Sequence, residues 1–513
     1  MISLTPAFRL YAKRRRKKLA AQDPAAAQKR ELLYLVERAK NTRFGRDHEF
    51  KSIRSVADFQ HAVPLRHYEA HWSEYWKSEY PNLVDVTWPG AIPFFAVTSG
   101  TTSGASKNIP VTHEMNRANA RGALDVLLHH LVKRPQSRAI DGKNFFLGGS
   151  VALRECAPGV YSGDLSGIAV RQTPAWYRPF TFPPAEVASE PDWEKRIDKI
   201  TDLVAGSNIR ILGGTPSWLL HLIERQQSRA GAPLTARELY PNLELLVHGG
   251  VSFKPYRARF EAFLGGKAET REVYPASEGF IASQDESPEA GLRLMTDNGL
   301  FFEFVPVEEL QNANPARHTV ADAELGVNYA IVLSTCAGCW AYVLGDTVRF
   351  VSRNPPRILV TGRTSYFMSA FGEHLIDEEI EDAVAAGAGA IETPISDFSL
   401  GAVFPKTPGE SGHHLYVVEF AVYPVDENEI VQFAEVLEDV LCARNDDYRI
   451  ERMEYGVIGA PKICPVPTGT FASWMKSRGK LGGQNKVPRV INDAELFANL
   501  EQFARDTIAR GRN

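Results

Sequence analysis

Cysteine is scarce in this chain: five among 513 residues, an odd number at low density. That excludes a disulfide framework and fits a reducing compartment. Cys336-Ala-Gly-Cys339 is a close pair, but Cys156, Cys442 and Cys464 are scattered and no His-x3-His follows, so the pattern of a zinc site is missing. A strand-like run at 340–343 follows the pair, where a redox dithiol would open a helix. Absent too is any run of eighteen apolar residues, and with it a membrane-crossing helix. Charge of one sign is not in excess: 58 Lys and Arg face 62 Asp and Glu, a net of −4, which provides no electrostatic footprint for nucleic acid or an anionic membrane. The basic cluster at 13–18 is followed by Leu-Ala-Ala-Gln-Asp-Pro, not by the apolar core of a secretion signal, and reads as a solvated first helix. His67 and His71 stand four apart without a third ligand and read as a wet helix face. No internal repeat or low-complexity tract is visible. With 44% hydrophobic and 23% charged residues the chain can fill two or more domains. The expectation is a cytoplasmic, monomeric protein acting on small molecules.

What is present begins with Thr98-Ser99-Gly100-Thr101-Thr102-Ser103-Gly104-Ala105-Ser106-Lys107, between an apolar run at 91–97 and a helical stretch starting near Met115. Glycine brings backbone N–H groups close to a ligand, hydroxyls add donors and Lys107 adds charge, a composition suited to phosphate. Gly104 comes four residues after Gly100 and the lysine three later, so the Walker spacing G-x-x-x-x-G-K-[ST] is not met. A plain surface loop has the same composition. Distant residues have to decide.

Residues 1–90 read as helical and connective, a cap on the core. A helix at 116–132 puts Leu124, Leu127, Leu128 and Leu131 on one face, with Arg117 and Arg121 off it, where they could meet a carboxylate. Apolar strands at 145–147, 209–212 and 243–247 each run into a glycine turn, and Thr215-Pro216 opens a helix as N-cap and first residue. Strands ending in glycine turns and followed by helices describe an α/β domain with ligands at the strands' carboxyl ends. Beyond Gly299 the pattern turns to β: strands at 300–305, 329–334, 341–344, 348–351 and 357–360, with Asp346 in a turn Gly345-Asp346-Thr347. From Gly362 on, helices near 377–386 and 427–443 and strands near 415–422 and 452–458 suffice for a small α+β domain. A loop at 405–414 reads as mobile.

Several separated segments then bear on one chemistry: the hydroxyl loop, His248-Gly249-Gly250-Val251, Tyr274-Pro-Ala-Ser277-Glu278-Gly279, Tyr342-Val-Leu-Gly345-Asp346, Gly362-Arg363 leading to Gly372-Glu373, and Gly482-Gly-Gln-Asn-Lys486-Val-Pro-Arg489. ATP-dependent activation of a carboxylate requires donors for phosphate, a flat slot for adenine, acids for Mg²⁺ and for ribose, and a lysine for developing charge. Each has a candidate here.

The order of these segments resembles the adenylate-forming enzymes, and most closely the Gretchen Hagen family of auxin-responsive acyl-acid amido synthetases in its bacterial form. The resemblance runs through nearly the whole chain, on Thr98-Ser-Gly-Thr-Thr-Ser-Gly104, Gly163-Asp-Leu-Ser-Gly167, Thr215-Pro-Ser-Trp218, Gly249-Gly-Val-Ser-Phe253, Phe302-Glu-Phe-Val-Pro306, Leu344-Gly-Asp346 and 482–489. It implies an α/β fold with a large N-terminal adenylation domain, 1–362, and a small α+β lid, 363–513. It also implies two steps: adenylation of a carboxylic acid by Mg²⁺ and ATP, then transfer of the acyl group to an amine, usually of an amino acid. Carried over by motif, Ser99, Gly100, Thr101 and Thr102 hold phosphate. Gly249, Gly250 and Val251 flank adenine, with Tyr274 and Ser277 beside it, and Glu278 holds Mg²⁺. Asp346 binds the ribose hydroxyls, Arg363 follows the hinge glycine, and Lys486 reaches the α-phosphate. Arg117, Arg121, Trp218 and Phe280 are candidates for the acid's pocket.

Two positions depart from the family's pattern. Trp340-Ala341-Tyr342 stands where members often carry Arg-Tyr, and His374 follows Gly372-Glu373 where plant members place a lysine. Two other readings share these residues: an acyl-coenzyme A synthetase, which differs in the acceptor, and a nucleotide-binding scaffold that has lost catalysis.

Overall fold

The computed structural model describes residues 3–98, 107–149, 151–364, 367, 368, 370, 371, 373, 375–404, 411–454, 458–480 and 486–511. The chain divides into two compact units, Met1–Gly250 with Leu264–Val360, and Val251–Phe263 with Thr361–Asn513.

The first unit is organised by a sheet of eleven strands among the described residues. Strands Lys143–Leu147, Ile209–Gly214, Leu245–Gly249 and Glu269–Ala276 pair in parallel, in that order, with Thr181–Phe182 on the outer side of Lys143–Leu147. Their near-continuous apolar runs belong to strands covered on both faces, with helices such as Trp193–Val204 and Pro216–Ala230 between them. Thr215 precedes Pro216 with extended backbone as expected, but its side chain caps nothing. From Glu269–Ala276 the sheet continues antiparallel, first through a hairpin to Gly279–Gln284 whose two-residue turn is Ser277-Glu278.

The strand Tyr342–Arg353 corrects the sequence reading, which broke it at Gly345-Asp346-Thr347. Ala330 pairs with Thr347 and Val332 with Val343, so Leu344, Gly345 and Asp346 stand opposite the single residue Ile331. This is a bulge rather than a turn. Gly345 supplies φ 93°, and extra residues on one strand re-aim the local side chains without ending the strand.

Helix His113–Lys133 keeps most of its expected facing, with Leu128 and Leu131 buried, Leu127 half-buried and Arg117 and Arg121 exposed. Met115, Ala118, Gly122, Asp125, Val126 and Leu128 are buried, while Leu124 is exposed. Gly122 allows close approach: a Cβ there would overlap the Phe280 ring. In the first helix, Thr5–Ala20, Arg15 is not solvated but buried, bonded to Asp125 at 2.6 Å and Asp297 at 2.7 Å. Nor is His71 on a wet face. It stacks on Trp76 with centroids 4.9 Å apart, its Nε2 lies 3.0 Å from the Trp340 carbonyl oxygen, and burial lowers its pKa to about 3.

The second unit has a three-stranded sheet, Ile395–Val403, His413–Phe420 and Lys462–Val466, with helices Asp377–Ala390 and Glu427–Arg444. Here Ile450–Glu454 is a helical turn where the strand expected near 452–458 would begin, and residues 455–457 lie outside the described set. Ile450 and Met453 stand three apart, a helical spacing, and the strand that completes the sheet is Lys462–Val466, parallel to His413–Phe420. The segment Val251–Phe263 joins this unit through Tyr256, whose hydroxyl lies 2.7 Å from Arg489 Nη2, and through Lys254, 2.5 Å from Asp382. Of the loop expected at 405–414, residues 405–410 lie outside the described set, and His414 is a buried strand residue. No described helix is long and apolar enough to cross a membrane.

Candidate functional site

Two acidic residues predicted from separate motifs are brought into electrostatic contact within the first unit. Glu278 occupies the hairpin turn between Glu269–Ala276 and Gly279–Gln284. Asp346 sits in the bulge of Tyr342–Arg353. Glu278 is 6% exposed. Burial raises its pKa and the Asp346 charge adds to that, while a hydrogen bond from the Tyr342 hydroxyl and the Lys107 ammonium act the other way. A carboxyl left in this state gains from a cation, since opposite charge restores what desolvation removed. The neighbouring Asp346 accepts a 2.5 Å hydrogen bond from the Tyr274 hydroxyl. Tyr274 is thus a polar partner as well as packing for the core.

Mg²⁺ is held by one or two carboxylates together with substrate phosphate oxygens. Glu278 fits that role, with Asp346 as its neighbour. Among the described residues no group of three or more His, Cys, Asp or Glu is arranged to hold a metal. Cys336 and Cys339 are buried free thiols whose pKa burial pushes up, the opposite of a reactive or zinc-binding cysteine.

The glycines following Leu245–Val247 have separate reasons. A Cβ on Gly249 would fall on the Val273 carbonyl oxygen of the adjacent strand, so sheet packing alone requires glycine there. Gly250 has φ 86°, in the left-handed region that favours glycine. Val251 is half-buried and belongs to the second unit, as does Arg363 at the end of strand Pro356–Arg363. Ser277 precedes Glu278 in the turn and is half-buried.

The remaining expected residues lie on other elements. Arg117 is exposed on helix His113–Lys133. Arg121 donates to the Asp297 carbonyl oxygen at 3.1 Å. Trp218 packs on Trp193 with ring centroids 5.2 Å apart. Phe280 joins Val126 and Met295 in a small cluster flanked by Val247 and Val273. Lys486 is exposed in the second unit. Ser99, Gly100, Thr101 and Thr102, together with Gly372, His374 and 482–485, lie outside the described residues. At the other departure, Ala341 adopts φ 42° and its N–H donates to Ser334 Oγ at 2.9 Å, so the backbone here is held without an arginine.

Sequence reasoning missed Tyr342 as a partner of Glu278 and Tyr274 as a partner of Asp346. Both tyrosines lay within quoted motifs, but pairings between strands distant in the chain leave no local signal.

Parallel strands ending in glycine turns, extended by antiparallel strands that bring two acids into electrostatic contact, define a mixed α/β fold with a candidate cation site. Three family models match the chain: the GH3 family N-terminal domain at residues 14–197, the GH3 family central domain at 293–363 and the GH3 family C-terminal domain at 378–495. The chain belongs to the GH3 family. Among relatives, indole-3-acetic acid-amido synthetase GH3.3 of Arabidopsis thaliana is 25% identical over 283 residues, 52% of this chain and 46% of that protein. Jasmonoyl–L-amino acid synthetase JAR4 of Nicotiana attenuata is 25% identical over 274 residues, 50% and 46% respectively. The chain thus spans about half the length of these curated relatives. Among solved structures, the acyl acid amido synthetase AtGH3.15 in complex with 2,4-DB superposes with a TM-score of 0.78 at 19% identity, covering 97% of this chain and 96% of that one. A 2-hydroxyisobutyryl-CoA ligase in its postadenylation state gives 0.62 at 16% identity, covering 95% and 93%. These likenesses establish the fold.

Proposed function

We propose that the protein is an acyl-acid amido synthetase: it adenylates a carboxylic acid with ATP and Mg²⁺, then transfers the acyl group to an amine, an amino acid in the first instance. The observation that carries this reading is the buried, cation-seeking Glu278 beside Asp346, in a chain of the GH3 family. The amide-forming activities named for its relatives support the second step. In this scheme Glu278 binds the metal, Asp346 the ribose hydroxyls, and Tyr274, Ser277, Gly249, Gly250 and Val251 the nucleoside. Ser99, Gly100, Thr101 and Thr102 bind phosphate. Residues 363–513 act as a lid carrying Arg363 and Lys486, the ammonium of Lys486 acting where negative charge builds as pyrophosphate departs. Arg117, Arg121 and Trp218 remain proposals for the acid's pocket.

The experiment is pyrophosphate release across a panel of aryl, indolyl, jasmonate-like and fatty acids, with and without Mg²⁺, followed by product analysis with amino acids and with coenzyme A. The reading expects acid- and Mg²⁺-dependent pyrophosphate and an amide product. ATP hydrolysis to ADP without an acid would overturn it. A thioester as the sole product would assign the second step to coenzyme A, a reading kept because the fold is shared with a CoA ligase.

A further inference from the structure

The helices Thr5–Ala20 and Pro24–Ala39, Arg121 and the loop at Asp297 enclose a cleft of about 510 Å³ in the first unit. Its donors outnumber their acceptors. Arg30 has no side-chain partner among the described residues, and Arg121 has only the Asp297 carbonyl oxygen. The Lys18 ammonium lies 2.9 Å from Asp297, whose carboxylate is already bonded by buried Arg15. At the same cleft the Gln22 amide nitrogen is buried with no hydrogen-bond partner. A buried, unmatched donor costs its full desolvation, so it marks a place where an acceptor is missing.

Two carboxyl groups face these cations, and neither cancels them. Asp297 is committed to Arg15 and Lys18. Glu31 accepts one bond, from the Gly299 N–H at 3.0 Å, and burial raises its pKa, with Asp297 and Glu114 adding to the shift. The Arg121 charge pulls it the other way. Tyr34 forms a wall of the cleft, its hydroxyl turned to Glu114 at 2.6 Å, which leaves the ring as an apolar surface.

We infer that this cleft is a binding site for a small oxyanion, an organic carboxylate or a phosphoryl group, received by Arg30, Arg121 and Lys18. A guanidinium is the side chain best matched to either group, through paired N–H donors. Of the residues proposed for adenylation the cleft shares only Arg121, a candidate for the acid's pocket, so Arg30, which has no part in that reading, separates the two in the test.

The test is calorimetric titration of sodium benzoate, and separately of inorganic phosphate, into the full chain at low ionic strength, using wild type, Arg30→Ala, Arg121→Ala, Arg30→Lys and Glu31→Gln. The expected result is a millimolar or tighter event, weakened about tenfold or more by either alanine change, the loss of one charge-assisted contact. Arg30→Lys should restore part of it, and Glu31→Gln should tighten it by removing a competing negative charge. Binding of benzoate alone identifies the carboxylate class, and of phosphate alone the phosphoryl class. Arg30 is exposed on its helix, so its variants retain the fold even if Arg121→Ala does not. The inference fails if neither anion binds, if Arg30→Ala binds like wild type, or if Glu31→Gln weakens binding.

Discussion

Each unit contains a buried glutamate, and the two are poised in opposite ways. In the first unit Glu278 is driven toward its neutral form by burial, with a neighbouring acid and a tyrosine hydroxyl for company. In the second, Glu373 is equally buried, yet its pKa is lowered. Burial acts on it too, but the 2.7 Å bond from His414 Nε2, with N–H bonds from Phe371 at 2.8 Å and Ala370 at 3.2 Å, outweighs it. A carboxylate with its lone pairs filled is a structural tie. One that burial drives toward its neutral form is suited to a cation, which would restore its charge. Burial alone did not distinguish them; their partners did.

Removing the charges assigned to catalysis should have the largest effect. Lys486→Ala should lose acid-dependent pyrophosphate release by about two to three orders of magnitude, the scale for one preorganised charge-stabilising group, while still consuming supplied acyl-adenylate. Lys480→Ala and Lys476→Ala serve as controls in the same basic stretch, and equal slowing of both half-reactions would refute the assignment. Glu278→Gln should reduce pyrophosphate release about a hundredfold or more, since the metal loses its charged ligand. Its melting temperature at neutral pH should stay level or rise. The comparison breaks if this variant remains active.

Glu373→Ala should do the reverse, destabilising the second unit by about 3–5 kcal/mol, the cost of leaving a buried partner uncompensated. Denaturant melts followed by Trp474 fluorescence in an otherwise tryptophan-substituted chain would measure it. The pH dependences should also oppose each other. Glu373 has a depressed folded-state pKa, so its stabilisation is present above the unfolded carboxyl value of about 4.3 and is lost as pH falls through the folded value. Glu278 has a raised pKa, so its cost to stability is absent in acid and grows as pH rises from the unfolded to the folded value. Urea midpoints of Glu278→Gln and Glu373→Gln against wild type across that range should diverge in opposite directions.

The smallest effect sharpens the comparison most. The Tyr342 hydroxyl bond lowers the Glu278 pKa against the pull of burial. Tyr342→Phe should therefore move the acidic limb of the pyrophosphate-release profile to higher pH, with the plateau rate reduced only severalfold. An unmoved limb would mean that Glu278 does not set it.

Much of the fold was legible in local sequence. Apolar runs ending at Gly213-Gly214 and Gly249-Gly250 announced parallel strands, because such strands are buried on both faces and must turn sharply at their ends. The misreadings were equally local: Gly345-Asp346 has the composition of a turn, and a strand was expected near 452–458 where Ile450–Glu454 turns as a helix. Only strand register showed the first to be a bulge, and only the place of Lys462–Val466 beside His413–Phe420 settled the second.

By itself, then, the sequence determined the α/β class and the family motifs and singled out Glu278 and Asp346 as candidates, because glycine, periodicity and motif order act over a few neighbouring residues. Tertiary structure decided that Tyr274 and Tyr342 partner those acids, that Arg15 and His71 are buried, and that Arg121 faces a cleft with Arg30 and Glu31. Those outcomes depend on which distant surfaces exclude water together, and charge, hydrogen bonding and pKa respond to that exclusion rather than to position along the chain.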